Sequence, residues 1–201
     1  MSANPTNMRT TITLLATLSY AGAATPSVQI APGVHMPLVG LGTWQYNNSV
    51  ARAAVAEALK IGYRHIDTAL GYENQPGVGA AITYALGAGT VTRKDLFVVS
   101  KIPGGLNTTS AAAALQLALD QLFPGDPAGY VDLMLIHFPA TWSGVGGKKM
   151  RQEQWKALET YVRAGKARAI GVSHYCRKHI DDILEIMTIP PAVNQVQYHV
   201  C

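Results

Sequence analysis

GYRHIDTALGY, residues Gly62 to Tyr72, opens as a short apolar strand and closes on polar residues, with Asp67 at the change. Two later runs repeat the design. LFVVSK (Leu96 to Lys101) ends on Lys101, and VDLMLIH (Val131 to His137) ends on His137. Each reads as a buried strand with a polar group at or near its C-terminal end. In parallel α/β proteins that end is where reactive side chains gather. Asp67, Tyr72, Lys101 and His137 therefore form a candidate catalytic group at one edge of one sheet.

Strand and helix signals alternate around these runs. Val28 to Ile30 and Val34 to Met36 flank Ala31-Pro32-Gly33, a hairpin with a turn. Leu38 to Leu41 is a short strand ending before Gly42. Asn48 or Ser49 caps an Ala-rich helix through about Ile61. Tyr63 to Asp67 is a strand, Val78 to Leu86 a helix and Leu96 to Ser100 a strand. Thr108 to Leu122 is a helix with Asn107 or Thr108 as its cap, and Val131 to Ile136 a strand. Gln152 to Arg163 is a helix, Ala167 to Val172 a strand, His179 to Met187 a helix and Val193 to Val196 a last strand. Strand and helix joined by short connections predict a parallel sheet with right-handed crossovers.

Periodicity leaves two architectures open, a doubly wound open sheet and a (β/α)8 barrel. A dinucleotide-binding open sheet needs a Gly-rich phosphate turn directly after its first strand. LVGLGTW (Leu38 to Trp44) has glycines but no GxGxxG continuation. GVGAAI (Gly77 to Ile82) is a partial match, but it opens the second helix, and Ile82 fills the last small position. Its glycines read as close packing of that helix on the sheet.

Composition narrows the function classes. In a chain of 201 residues, 48% hydrophobic and 14% charged, a packed core is expected and disorder is not. The net charge of +4 is scattered, and its densest part, Lys148, Lys149 and Arg151, reads as a solvated face. Neither a nucleic-acid nor a membrane partner is therefore expected. Cys176 and Cys201 make neither a metal spacing nor a disulfide framework. His65-Ile66-Asp67 could begin a metal-dependent hydrolase site, but no second His pair follows, and no metal is expected.

The N-terminus is compositionally separate. No acidic residue precedes Glu57. Arg9 leads into TTITLLATLSYAGAA, too short to span a bilayer, and Ala21-Gly22-Ala23 gives a small-residue cleavage pattern. Residues 1–23 are read as a signal or organelle-targeting segment, ahead of one domain over 24–201. Secretion or an organelle is expected if that segment acts, and the cytoplasm if it does not.

GLGTW, GYRHIDTALGY, the Ser-Lys ending of β-like LFVVSK, DLMLIHFP, WKALETYVRAGKARAIGVSHY and AVNQVQYH occur in an order and spacing that resemble the aldo-keto reductase family. The resemblance runs from about Val28 to His199. It implies a (β/α)8 barrel preceded by a β-hairpin, an NADPH or NADH cofactor, a small carbonyl substrate and a monomer. It assigns catalysis to Asp67, Tyr72, Lys101 and His137. Thr43, Asp67, Ser173, His174 and Gln195 match cofactor contacts, the last three at the nicotinamide carboxamide. Trp44, His137 and Phe138 match the substrate pocket. Three positions depart from the family pattern: His174 replaces an Asn, Phe138 a frequent Trp and Gln75 a frequent Glu.

The residue types suit that chemistry. Carbonyl reduction needs a hydride, which no side chain gives, and a proton. Tyr72 is the candidate acid. A neighbouring ammonium, Lys101, is expected to lower the phenol from its ordinary value near 10, with Asp67 holding Lys101 by an ion pair. His137 is placed to orient the carbonyl oxygen. Six barrel strands are legible, whereas a complete barrel typically takes about 250 residues. The resemblance puts the ring that stacks on nicotinamide after a seventh strand, and the 2′-phosphate site after an eighth. The chain reads Tyr198-His199-Val200-Cys201 where the family continues Tyr-His-Pro. A partial reading of a longer reductase is expected. The alternative is a catalytically dead relative that binds nucleotide or serves as an interaction subunit.

Overall fold

A computed structural model describes residues 25–198. The expected leader, His199 and Cys201 lie outside the described residues. An antiparallel hairpin comes first, β1 (Ser27–Ala31) with β2 (Val34–Pro37). Gly33 at its turn has φ +70°, a left-handed conformation that favours glycine. Six strands then form one parallel sheet in sequence order: β3 (Leu41–Gly42), β4 (His65–Asp67), β5 (Phe97–Ile102), β6 (Val131–Ile136), β7 (Ala167–Ser173) and β8 (Asn194–Gln195). Between them run α1 (Asn48–Lys60), α2 (Gln75–Gly87), α3 (Thr108–Leu122), α4 (Lys148–Arg163) and α5 (Arg177–Leu184). The order never reverses, so there is no switch point of the doubly wound kind. The curled sheet is an incomplete (β/α)8 barrel, as the motifs imply.

Every residue of β5 and β6 is buried, because each face of the sheet is covered. Alternate side chains serve two cores. Ile66, Val98, Met134, Ile136 and Ile170 pack outward on Leu59, Ile82, Leu115, Trp155 and Leu158 of the helices. Phe97, Val99, Leu133, Leu135 and Ala169 point inward and meet Val34 of the hairpin. The hairpin is thus a floor. Asp132, fully buried near the start of β6, accepts from Arg93, from Arg168 and from the amide of Val98, each at 2.8–2.9 Å. Arg168 also donates to the carbonyl of Gly33, tying floor to sheet. The opposite, C-terminal end of the strands stays open.

Several local expectations need correcting. Of the expected Leu38–Leu41 strand only Leu41 joins the sheet, and the strand runs on through Gly42. Leu38 continues the hairpin instead, its amide donating to Pro26. Asn47, not Asn48 or Ser49, caps α1, accepting from the amide of Val50. Asn48 turns to α2, where its Oδ1 takes the amide of Gly77 at 2.8 Å. Helix α2 starts at Gln75 rather than Val78, since Pro76 suits a first turn. Likewise α4 starts earlier than expected, and α5 runs over Arg177–Leu184 rather than His179–Met187. The glycines of GVG do mark close packing, but against helices and not the sheet. A Cβ on Gly77 would lie 2.1 Å from the Asn48 carbonyl of α1, and one on Gly79 2.3 Å from the Gln121 carbonyl of α3.

Candidate active site

The open mouth collects the four predicted residues. Asp67 ends β4. The chain then bends through a single 3-10 turn, Leu70–Tyr72, which places Tyr72 over the strand ends, and Glu73 leaves that turn at φ 57°. Lys101, expected at the end of β5, lies within it, one residue before Ile102. His137 follows β6 directly, its amide donating to the carbonyl of Ile102.

Lys101 is almost wholly buried, yet all three of its ammonium hydrogens have acceptors: Oδ1 of Asp67 in an ion pair, the carbonyl of Thr68 at 3.1 Å and the hydroxyl of Tyr72 at 3.3 Å. The Tyr72 oxygen therefore accepts, which leaves its own proton to be given elsewhere. The ring of His137 meets that of Tyr72 edge-on, with centroids 5.5 Å apart.

Burial governs the protonation states. It pushes the Tyr72 phenol up to about 12, and the negative charge of Asp67 adds to the rise. This corrects the expectation that Lys101 lowers the phenol: burial of the ring, with the charge of Asp67, carries it the other way. Burial also lowers Lys101 from its ordinary value, outweighing the attraction of Asp67. His137 is lowered to about 4, first by burial, then by the charges of Lys101 and His174. At neutral pH the site presents a protonated phenol and a neutral imidazole.

Asn74, unmarked by sequence reasoning, is the hub beneath the site. It is fully buried; its Oδ1 accepts from Thr68 at 3.2 Å, with the Thr43 hydroxyl also near at 3.4 Å, and its Nδ2 donates to the carbonyls of Thr43 at 2.7 Å and Tyr46 at 2.9 Å. An Asn just before a helix reads as a cap, but Asn74 makes no cap bond to α2. Gln75 takes the Ser100 hydroxyl at 2.5 Å and donates to the carbonyl of Ala118 and to Gln121. An ionised Glu at that position could make no such donation.

The remaining predicted residues fall into two groups. Thr43 is fully buried, and its hydroxyl supports the carbonyl of Asp67 at 3.2 Å from below. Trp44 is 59% exposed. On the far side of the mouth, Phe138 stacks between His137 and His174, with centroids at 4.4 and 4.9 Å, and Trp142 leans on it at 4.9 Å. The loop carrying Phe138 rests on Gly104, where a Cβ would lie 2.0 Å from the Phe138 carbonyl. His174 has φ 55°, a left-handed conformation that Asn and His tolerate better than most residues. Ser173 donates to the carbonyl of Gln195 at 2.8 Å, and Nε2 of Gln195 reaches Oδ2 of Asp67 at 2.8 Å. His65, weighed as a metal ligand, lies away from this group with Nδ1 on the carbonyl of Pro37.

Comparison with known proteins gives the family. The profile of the Aldo/keto reductase family matches residues 38–201. The chain belongs to the aldo/keto reductase family. It is 40% identical over 180 residues to Aldo-keto reductase family 4 member C11 of Arabidopsis thaliana, covering 85% of this chain and 56% of that one. Among solved aldo-keto reductases, that of Brucella melitensis superposes with a TM-score of 0.76 at 36% identity, over 87% of this chain and 64% of that one. The Bombyx mori aldo-keto reductase, solved in complex with NADP, superposes with a TM-score of 0.77 at 33% identity, over 88% and 59% of the two chains. The chain spans little more than half the length of the curated relatives it matches. Among the described residues, no helix is long and apolar enough to cross a membrane.

Proposed function

We propose that this aldo/keto reductase chain carries the catalytic group of an NADPH-dependent reductase that converts an aldehyde or ketone to an alcohol. The observation that carries the reading is the Lys101 ammonium, which donates at once to Asp67, Thr68 and Tyr72 and so leaves the phenol proton free. NADPH, when bound, supplies the hydride to the carbonyl carbon and is itself oxidised. Tyr72 gives its proton to the carbonyl oxygen. An alkoxide is a stronger base than a phenolate, so this transfer runs downhill even from a phenol raised to about 12. Neutral His137 donates a hydrogen bond that orients the oxygen. Asp67 keeps Lys101 charged against the pull of burial.

The polar groups available to the carboxamide are the exposed His174 ring, the Ser173 hydroxyl oxygen and Oε1 of Gln195, which accepts no hydrogen bond among the described residues. The stack of His137, Phe138, His174 and Trp142 gives the mouth an aromatic wall, which favours an apolar or aromatic carbonyl compound. A small-molecule substrate and a monomeric state complete the reading, with action outside the cell or in an organelle if residues 1–23 act as a targeting segment and in the cytoplasm if they do not.

The test is NADPH oxidation by the full-length protein with an aromatic aldehyde. Tyr72→Phe is expected to lower turnover by about 10²–10⁴-fold, the span typical of a lost general acid, while NADPH binding persists. Turnover close to that of the unaltered protein would remove Tyr72 from the role. NADPH binding without any turnover in the unaltered protein would favour a nucleotide-binding relative.

A further inference from the structure

We propose that Gln195 is a positioning residue whose side-chain amide, reaching across the barrel mouth, fixes the carboxylate of Asp67 on which Lys101 and Tyr72 depend. The inference rests on the reductase reading only for its kinetic consequence; the contact itself is independent of it.

Asp67 divides its two oxygens between two partners. Oδ1 takes Lys101, and Oδ2 takes Nε2 of Gln195 at 2.8 Å across 128 residues of sequence. Strands β5, β6 and β7 stand between β4 and β8 in the sheet, so this bond spans the mouth and belongs to no strand ladder. The amide is delivered from a fixed backbone. Gln195 pairs with Ser173 of β7, and its carbonyl accepts from the His174 amide at 3.0 Å and the Ser173 hydroxyl at 2.8 Å. Its neighbour Asn194 exchanges bonds with the backbone of Tyr175 at 2.9 and 3.3 Å.

The chemistry suits an amide. Without Gln195, the Asp67 side chain could rotate about its one remaining side-chain partner and loosen Lys101 from Tyr72. A neutral donor prevents that rotation and leaves the charge balance of Asp67 and Lys101 intact, whereas a cation would compete with Lys101. The groups that feel the Asp67 carboxylate are Lys101 from β5, Tyr72 from the turn after β4 and His137 beyond β6. Oε1 of the same amide remains open as an acceptor, so one side chain can hold Asp67 and still meet a carboxamide hydrogen.

Two variants of the full-length protein test this. Gln195→Glu keeps the shape but sets two carboxyl groups together, and like charges at that distance retain a proton between them. Carbon-13 NMR of the free protein should then show a carboxyl titrating well above the ordinary glutamate value of about 4.3. NADPH turnover of this variant should be lost as pH rises through that titration and recovered below it. Gln195→Leu should lower kcat about 10–100-fold at every pH, as expected for losing a hydrogen bond to a charged group. If Gln195 meets only the carboxamide, a carboxylate accepts as well as the amide does. Gln195→Glu then stays active through neutrality with no raised carboxyl, and Gln195→Leu raises KM for NADPH while kcat holds. That result overturns the proposal. A raised carboxyl in a protein that oxidises no NADPH upholds the contact and refutes the reductase reading instead.

Discussion

At the mouth of the sheet, burial keeps the phenol of Tyr72 protonated and the imidazole of His137 neutral through the physiological range. Reduction should therefore show no histidine inflection. Its kcat is expected to stay level through neutral pH, with the alkaline fall set by Lys101 and beginning below the range of an ordinary lysine, because burial has lowered it. A pH–rate profile checks this, and a loss centred near 6.5 would mean that His137 titrates normally. The same shift bears on stability. His137 falls from 6.5 to about 4 on folding, so between those values the unfolded chain binds a proton that the folded chain refuses. Its contribution to stability is complete above 6.5 and is lost as pH falls to about 4. Asp67, Lys101 and His137 were legible because polar residues follow apolar runs at or near strand ends, and Tyr72 because the motif GYRHIDTALGY carries it. The phenol's direction of shift was not, because it depends first on how deeply the fold buries the ring and then on how close it sets Asp67.

At the scale of elements, the floor is set by one carboxylate. Asp132 joins β5, β6, β7 and the residues before β5 through Val98, Arg93 and Arg168. Asp132→Ala leaves the Val98 amide without its acceptor and takes the carboxylate from Arg93 and Arg168, although Arg93 keeps the carbonyls of Leu96 and Tyr130. It is expected to cost about 3–5 kcal/mol, the range for breaking a buried pair, measurable by urea unfolding. A cost below about 1 kcal/mol would show that water replaces the carboxylate. Strands β5 and β6 were readable within a residue or two, since burial on both faces makes them continuous apolar runs. Helix starts were less legible. Asn47, Asn48 and Ser49 are all plausible caps by type, and only the demand of the Gly77 amide on Asn48 decides among them.

Across the molecule, the described residues leave the sheet with edges at β3 and β8. Leu38 and Val39 are exposed just before the first, and Val196 and Tyr198 just after the second. Unpaired strand edges expose backbone donors and acceptors. Each apolar side chain left uncovered forgoes roughly 1.5–3 kcal/mol, against a domain's net of about 5–15 kcal/mol. Residues 25–198 expressed alone are therefore expected to be protease-sensitive and to melt without a cooperative transition. A sharp thermal transition of that fragment, seen by circular dichroism, would show that six strands suffice.

Apolar runs, glycines and polar strand ends are local, and local spacing alone determined the alternation of strand and helix, the parallel sheet and the set Asp67, Tyr72, Lys101 and His137. The choice between barrel and open sheet was not local. Both use the same strand–helix units, and only the unreversed order of strands in space separates them. Asn74 under the site, Gly77 and Gly79 against neighbouring helices, and Gln195 on Asp67 were likewise decided by tertiary structure. Their partners lie tens to more than a hundred residues away, and a side chain's hydrogen-bonding capacity does not name its partner until the fold brings the two within 3 Å.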